Sequence, residues 1–137
     1  MTGLVVCVAV LAAASAFGVL HKRRSGRVRV RGRDDGIRVG AADLGEALGE
    51  RATLVQFSSA FCAPCRATRR VLGEVAGLVP GVTHVEIDAE AHLDLVRRLD
   101  ILKTPTVLVL DAEGRVVRRA VGQPRKADVI AALGEAV

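Results

Sequence analysis

Residues 3–20 form an unbroken run of 18 residues without a charged side chain, and this run limits how the remainder of a 137-residue chain can be used. At about 1.5 Å per residue such a helix reaches about 27 Å, close to the hydrocarbon thickness of a bilayer. A chain of this length holds one domain, not two. Two readings of the run compete. Ala14-Ser15-Ala16 resembles a signal-peptide cleavage site. Against cleavage, no basic side chain precedes the run and a dense basic cluster follows it at once. Residues 1–21 are therefore expected to be a transmembrane anchor.

Charge is distributed unevenly. Between His21 and Gly36 lie seven basic residues, Lys22, Arg23, Arg24, Arg27, Arg29, Arg31 and Arg33, against Asp34 and Asp35. From Ile37 onward 13 Lys/Arg meet 13 Asp/Glu, so the net +5 belongs wholly to this segment. A neutral domain with few aromatics excludes a nucleic-acid binder as the first reading. A basic run beside an apolar segment suits anionic lipid headgroups. Residues 22–36 read as a basic linker; Arg27-Val28-Arg29-Val30-Arg31 alternates like a short edge strand, but its uniformly basic face favours a solvated, membrane-adjacent segment. Basic flanks usually stay in the cytoplasm, so the domain is expected to face it. Cys7 reads as a small apolar residue facing lipid or protein.

Half of the chain is hydrophobic, with three Phe and no Trp or Tyr, so the core must be aliphatic. The pattern beyond residue 36 alternates in type. Helical stretches are expected at 41–48, 62–79 and 91–99, and a last helix starts at Pro124 and turns Val129, Ile130 and Leu133 inward. Strands are expected at 52–57 (ATLVQF), 82–87, 106–110 (TVLVL) and 115–121, the last two joined by the turn Asp111-Ala112-Glu113-Gly114. Helix-separated strands pair in parallel and the late hairpin adds an antiparallel strand. The expected architecture is an α/β sandwich with a mixed central sheet of about four strands.

The chemistry concentrates at Phe61-Cys62-Ala63-Pro64-Cys65, which follows an apolar strand and opens a helix. Thiolate is the reactive form of cysteine, and the positive end of a helix dipole stabilises it. Cys62 at the helix start and Cys65 nearly one turn deeper suit a division of labour. Cys62 attacks a substrate disulfide, and Cys65 then attacks the mixed disulfide and releases the substrate. Pro64 fits an early helical position, and Arg66 adds positive charge nearby. No second CxxC and no well-spaced His pair point to a zinc site, and no glycine loop points to phosphate. His21, His92, Asp88 and Asp100 read as flank, surface and turn residues.

FCAPC after VQF, the Thr104-Pro105-Thr106 step before a strand and Gly122 before the last helix together resemble the thioredoxin family. The resemblance covers residues 37–137 and implies a thioredoxin-like sandwich, preceded here by one N-terminal transmembrane helix. It implies a protein-disulfide oxidoreductase with Cys62 and Cys65 as the reacting pair and no bound cofactor or metal, since the dithiol is itself the redox group. It implies a cis proline at Pro105 beside the reactive cysteine, with Thr104, Pro105, Phe61, Ala63 and Pro64 forming the substrate-binding wall. Family members commonly carry Trp-Cys-Gly-Pro-Cys, and here Phe61 and Ala63 replace the Trp and Gly. Most also place a buried Asp six residues before the first cysteine, where it is thought to help deprotonate the second. Gln56 stands there and cannot take a proton, and His84 aligns with the family's nearby lysine. Assistance of Cys65 by His84, directly or through water, is one reading; a plain polar strand residue is the other.

The expected activity is reduction of protein disulfides near a membrane. Its partners would be disulfide-containing clients, an upstream thiol reductase and the membrane itself, with no nucleic acid. Two alternatives stand beside it: an extracytoplasmic thiol reductase in cytochrome c maturation, and a redox-inactive binding module on the same fold.

Overall fold

The structure, a computed structural model, describes residues 1–24, 28–29 and 36–137. Helix α1 (Thr2–Arg24) runs three residues past the expected boundary at 21, and its side chains are exposed from end to end through Lys22. The rings of Phe17 and His21, one turn apart, stack with centroids 6.1 Å apart. α1 is long and apolar enough to cross a membrane, a test that a signal sequence also passes.

The remaining elements are strand β1 (Val28–Arg29), helix α2 (Ala41–Leu44), strand β2 (Ala52–Ser58), helix α3 (Ala63–Leu78), strand β3 (Val82–Asp88), helix α4 (Leu93–Arg98), strands β4 (Thr106–Asp111) and β5 (Val116–Val121), and helix α5 (Lys126–Ala136). The sheet order is β1-β5-β4-β2-β3. Only β2 and β3 pair in parallel, across the α3 connection; β2 with β4, β4 with β5 and β1 with β5 are antiparallel. This is the expected mixed sandwich, with one strand more than the apolar runs suggested. The extra strand falls inside the expected linker: Val28 and Arg29 pair with Ala120 and Arg119. The reason is that β5 would otherwise leave an unpaired backbone edge. The rest of that basic segment, residues 25–27 and 30–35, lies outside the described residues.

Two apolar layers cover the sheet. Leu54, Val82, Val107, Val109 and Ala120 face Leu72 and Val75 of α3 and Val129 and Leu133 of α5. Val55, Phe57, Val85, Leu108 and Leu110 face Leu44, Leu95 and Leu99 on the α2 and α4 side. β2 lies between neighbours on both edges and helices on both faces, so all seven of its residues are buried. That double burial explains its near-continuous apolar reading, ATLVQFS.

Three helices differ from their sequence pattern. α2 ends after one turn because Gly45 takes φ 70°, a left-handed cap, and closes on the Ala41 carbonyl. α4 starts at Leu93, which is exposed, while Leu95 and Leu99 turn inward. In α5 the inward stripe is Val129, Ala132 and Leu133, and Ile130 is 46 % exposed. The spacing decides this: 129, 132 and 133 share one face, and 130 lies about 100° round the helix.

Candidate active site

The site grows out of the end of β2. After Ser58 the chain turns through Phe61, which has φ 57° and a fully exposed side chain (104 %). Cys62 then caps α3: it is extended (φ −101°, ψ 97°), and its Sγ accepts the Cys65 backbone N–H at 3.2 Å. Pro64 sits in the first turn, where it lacks no hydrogen bond that a helix would use, and its carbonyl accepts from the Thr68 hydroxyl at 2.8 Å. Cys62 and Cys65 form a disulfide with their Cα atoms 5.2 Å apart. Their surroundings differ. Cys62 is half-buried at the rim, and Cys65 is 2 % exposed on the sheet side of α3. In the dithiol form, the amide that meets Cys62 Sγ, with the helix dipole behind it, favours a thiolate there.

The Thr104–Pro105 peptide bond is cis, as the family resemblance implied. Pairing of Phe57 with Thr106 brings the Thr104-Pro105 step beside the loop that leaves β2. The hydroxyls of Ser59 and Thr104 lie 2.7 Å apart and join the two loops. Pro105 is buried, and its carbonyl accepts the Gly122 N–H at 2.8 Å, which ties the step to the end of β5. Ala63 and Pro64 are exposed and Thr104 is half-buried. Ser59 was not singled out from the sequence, nor was Ser58; the signal was the small polar pair closing an otherwise apolar strand.

Behind Cys65 lies a buried polar row on the α3 side of the sheet. Gln56 has no exposed surface. Its Nε2 donates to the Cys65 carbonyl at 2.8 Å and to Ser58 Oγ at 2.9 Å. His84 Nε2 stands 3.0 Å from Gln56 Oε1. Burial pushes the His84 pKa below its ordinary 6.5, with smaller opposing influences from Glu86 and Glu46 and a smaller lowering one from Arg69. Arg69 and Glu86 themselves form a two-pronged ion pair, with N–O distances of 2.5 and 2.6 Å, over the same side of α3. The structure thus brings Gln56 and His84 together, and Gln56 makes the contact with Cys65, to its carbonyl.

The thioredoxin family model matches residues 42–135. The chain belongs to the thioredoxin family. Within it, the chain is 31% identical over 85 residues to the thioredoxin of Mycobacterium tuberculosis strain H37Rv, covering 61% of this chain and 72% of that one. It is 26% identical over 92 residues to the thioredoxin of Chlamydia trachomatis, covering 67% of this chain and 89% of the relative. Its fold is similar to the reduced thioredoxin pre-protein of Schistosoma mansoni, with a TM-score of 0.57 at 19% identity, over 65% of this chain and 82% of that one. The oxidised mitochondrial thioredoxin 3 of Saccharomyces cerevisiae gives a TM-score of 0.55 at 16% identity, over 63% and 79%. The thioredoxin match together with the Cys62–Cys65 pair makes the chain a protein-disulfide oxidoreductase acting by thiol–disulfide exchange. Disulfides are therefore its substrates in general.

Proposed function

We propose that this thioredoxin reduces protein disulfides at a membrane surface, with Cys62 as nucleophile and Cys65 as resolving thiol. The observation that carries the reading is the asymmetry of the pair. Cys62 Sγ lies at the helix start and accepts an amide, and Cys65 is sealed behind it. The Cys62 thiolate at the rim attacks one client sulfur and expels the other as a thiolate. Cys65 then attacks Cys62 Sγ, expels the bound client sulfur and leaves the disulfide. Phe61, Ala63, Pro64, Thr104 and Pro105 form the wall against which an extended client segment lies. Phe61 offers it a fully exposed apolar ring. Electrons return from an upstream thiol reductase, and the dithiol needs no cofactor.

The assignment of residues 1–21 as anchor, 22–36 as basic linker and 37–137 as the domain belongs to the same proposal. An exposed apolar α1 followed by seven basic residues supports a single span with the domain in the cytoplasm. The tether would raise the local concentration of the dithiol near membrane-bound clients.

Thiol labelling of intact cells tests the arrangement. In a Cys7→Ala background, Cys62 and Cys65 should resist a membrane-impermeant reagent until lysis and then label without prior reduction. Labelling from outside would reverse the orientation and make extracytoplasmic thiol maintenance the function. Client binding that survives Cys62→Ser with no change in cellular disulfides would replace catalysis by a binding role.

A further inference from the structure

The polar row behind Cys65 has one consistent hydrogen-bond assignment. A backbone carbonyl only accepts, so the Gln56 atom 2.8 Å from the Cys65 oxygen must be the amide nitrogen. The Gln56 oxygen therefore faces His84, 3.0 Å from Nε2. That oxygen also only accepts, so His84 Nε2 must carry a proton, and the lone pair of the neutral ring lies on Nδ1, on the other edge. The second amide hydrogen of Gln56 is taken by Ser58 Oγ at 2.9 Å. Both amide hydrogens and the Gln56 oxygen are thus committed, and none of these bonds places a proton acceptor at the Cys65 sulfur.

We infer that Gln56 and His84 are positioning residues for the resolving cysteine: His84 fixes the Gln56 amide, the amide holds the Cys65 carbonyl and the first turn of α3 against the sheet, and neither side chain takes the Cys65 proton. The inference rests on the exchange reading above. In the resolving step the Cys65 proton ends in the medium and the Cys65 thiolate attacks Cys62 Sγ. The bond from Cys62 to the client then breaks, and the client departs as a thiolate. Gln56 stays neutral throughout, so it adds no charge that would oppose that thiolate. The groups facing His84 are Glu86 on β3, Arg69 on α3 and Glu46 in the segment after α2. Burial favours the uncharged ring, in keeping with a ring that serves as a donor and not as a charge.

The reduced full chain, in a Cys7→Ala background, is mixed with a chromogenic aryl disulfide. Attack by Cys62 releases the first aryl thiolate, and resolution by Cys65 releases the second. The second phase is followed from about pH 6 to about pH 9, across the ordinary onset of thiol ionisation. His84→Gln keeps an N–H donor and removes the base, so its resolving rate should stay within about twofold of the wild type at every pH. His84→Ala removes the donor and should slow the second phase about five- to tenfold, with the shape of the pH profile unchanged. A His84→Gln rate as slow as His84→Ala, with the loss concentrated at low pH, would identify His84 as a proton acceptor and overturn the inference. Nitrogen-15 NMR of the wild-type ring gives a check independent of turnover. The Nε2–H tautomer is expected in both redox states, and an Nδ1–H tautomer in either overturns the assignment. A folded wild type that releases only the first equivalent would instead sink the exchange reading, and the positioning role with it.

Discussion

α1 and α3 are the two longest helices among the described residues, at 23 and 16 residues, and they meet their surroundings in opposite ways. In α3, Cys65, Thr68, Leu72 and Val75 are buried at three- and four-residue spacings, and Arg66, Arg69, Arg70 and Glu74 face water. That stripe allows one seat, with the apolar side on the sheet, and it determines which cysteine is sealed and which is presented. α1 has no such stripe: its apolar side chains point in all directions and are exposed. Nothing among the described residues covers them. The comparison separates two uses of hydrophobicity. In α3 its arrangement builds the site, and in α1 its amount alone makes a candidate span.

The comparison can be broken first at the cysteines that α3 presents. Cys62→Ser should lower disulfide exchange by about a thousandfold or more, because the attacking sulfur is gone. Cys65→Ser should retain the first attack and accumulate a mixed disulfide on Cys62, visible as a mass adduct with the client. Equal behaviour of the two variants would contradict the unequal burial of the pair.

Packing gives the next effect. Leu72 is fully buried between α3 and the sheet. Leu72→Ala should cost about 2–5 kcal/mol of domain stability, measured by denaturant unfolding in detergent. Leu11→Ala, on α1, should change it by less than about 0.5 kcal/mol. A comparable loss at Leu11 would show that α1 packs on the domain and would end the contrast. Leu11→Asp should instead shift the chain from the membrane to the soluble fraction, since an acid at a span centre costs about 2.5–3.5 kcal/mol.

On the sheet side of α3, acidity should matter through His84. Its folded pKa is depressed below the 6.5 of an ordinary His in the unfolded chain, chiefly by burial, so the unfolded state binds its proton first as pH falls. Stability should therefore decline as pH drops through about 6.5 and level off once the folded ring is also protonated. His84→Gln should flatten that limb of the profile; an unchanged slope would assign the decline to other groups.

The smallest effect is expected where α2 meets α4. Asp43 accepts from Arg98 at 2.9 Å and from the Gly40 N–H at 2.8 Å, and these bonds hold its pKa below the usual carboxylate range. Arg98 is half-exposed, so solvent screens the pair. Asp43→Asn should cost only about 0.2–1 kcal/mol in an unfolding titration, and a larger loss would mean that this surface pair matters as much as the core under α3.

Local spacing carried much of this protein into its sequence. The apolar run of α1, the strand-to-helix position of Cys62 and Cys65, and the turn after β4 each depend on residues within about one or two turns of chain, where periodicity and proline or glycine placement act directly. The sequence by itself therefore determined the order of elements beyond residue 36, the redox pair and the candidate span. Tertiary structure alone decided what joins distant segments. Ser59 meets Thr104 across 45 positions, His84 meets Gln56 across 28, and Val28–Arg29 completes the sheet beside Ala120 and Arg119. It also decided that Ala132, and not Ile130, belongs to the inner stripe of α5. The physical reason is the same in each case: a hydrogen bond or a buried face needs a partner, and the partner's position is set by how strands and helices stack, not by the residues that flank it in the chain.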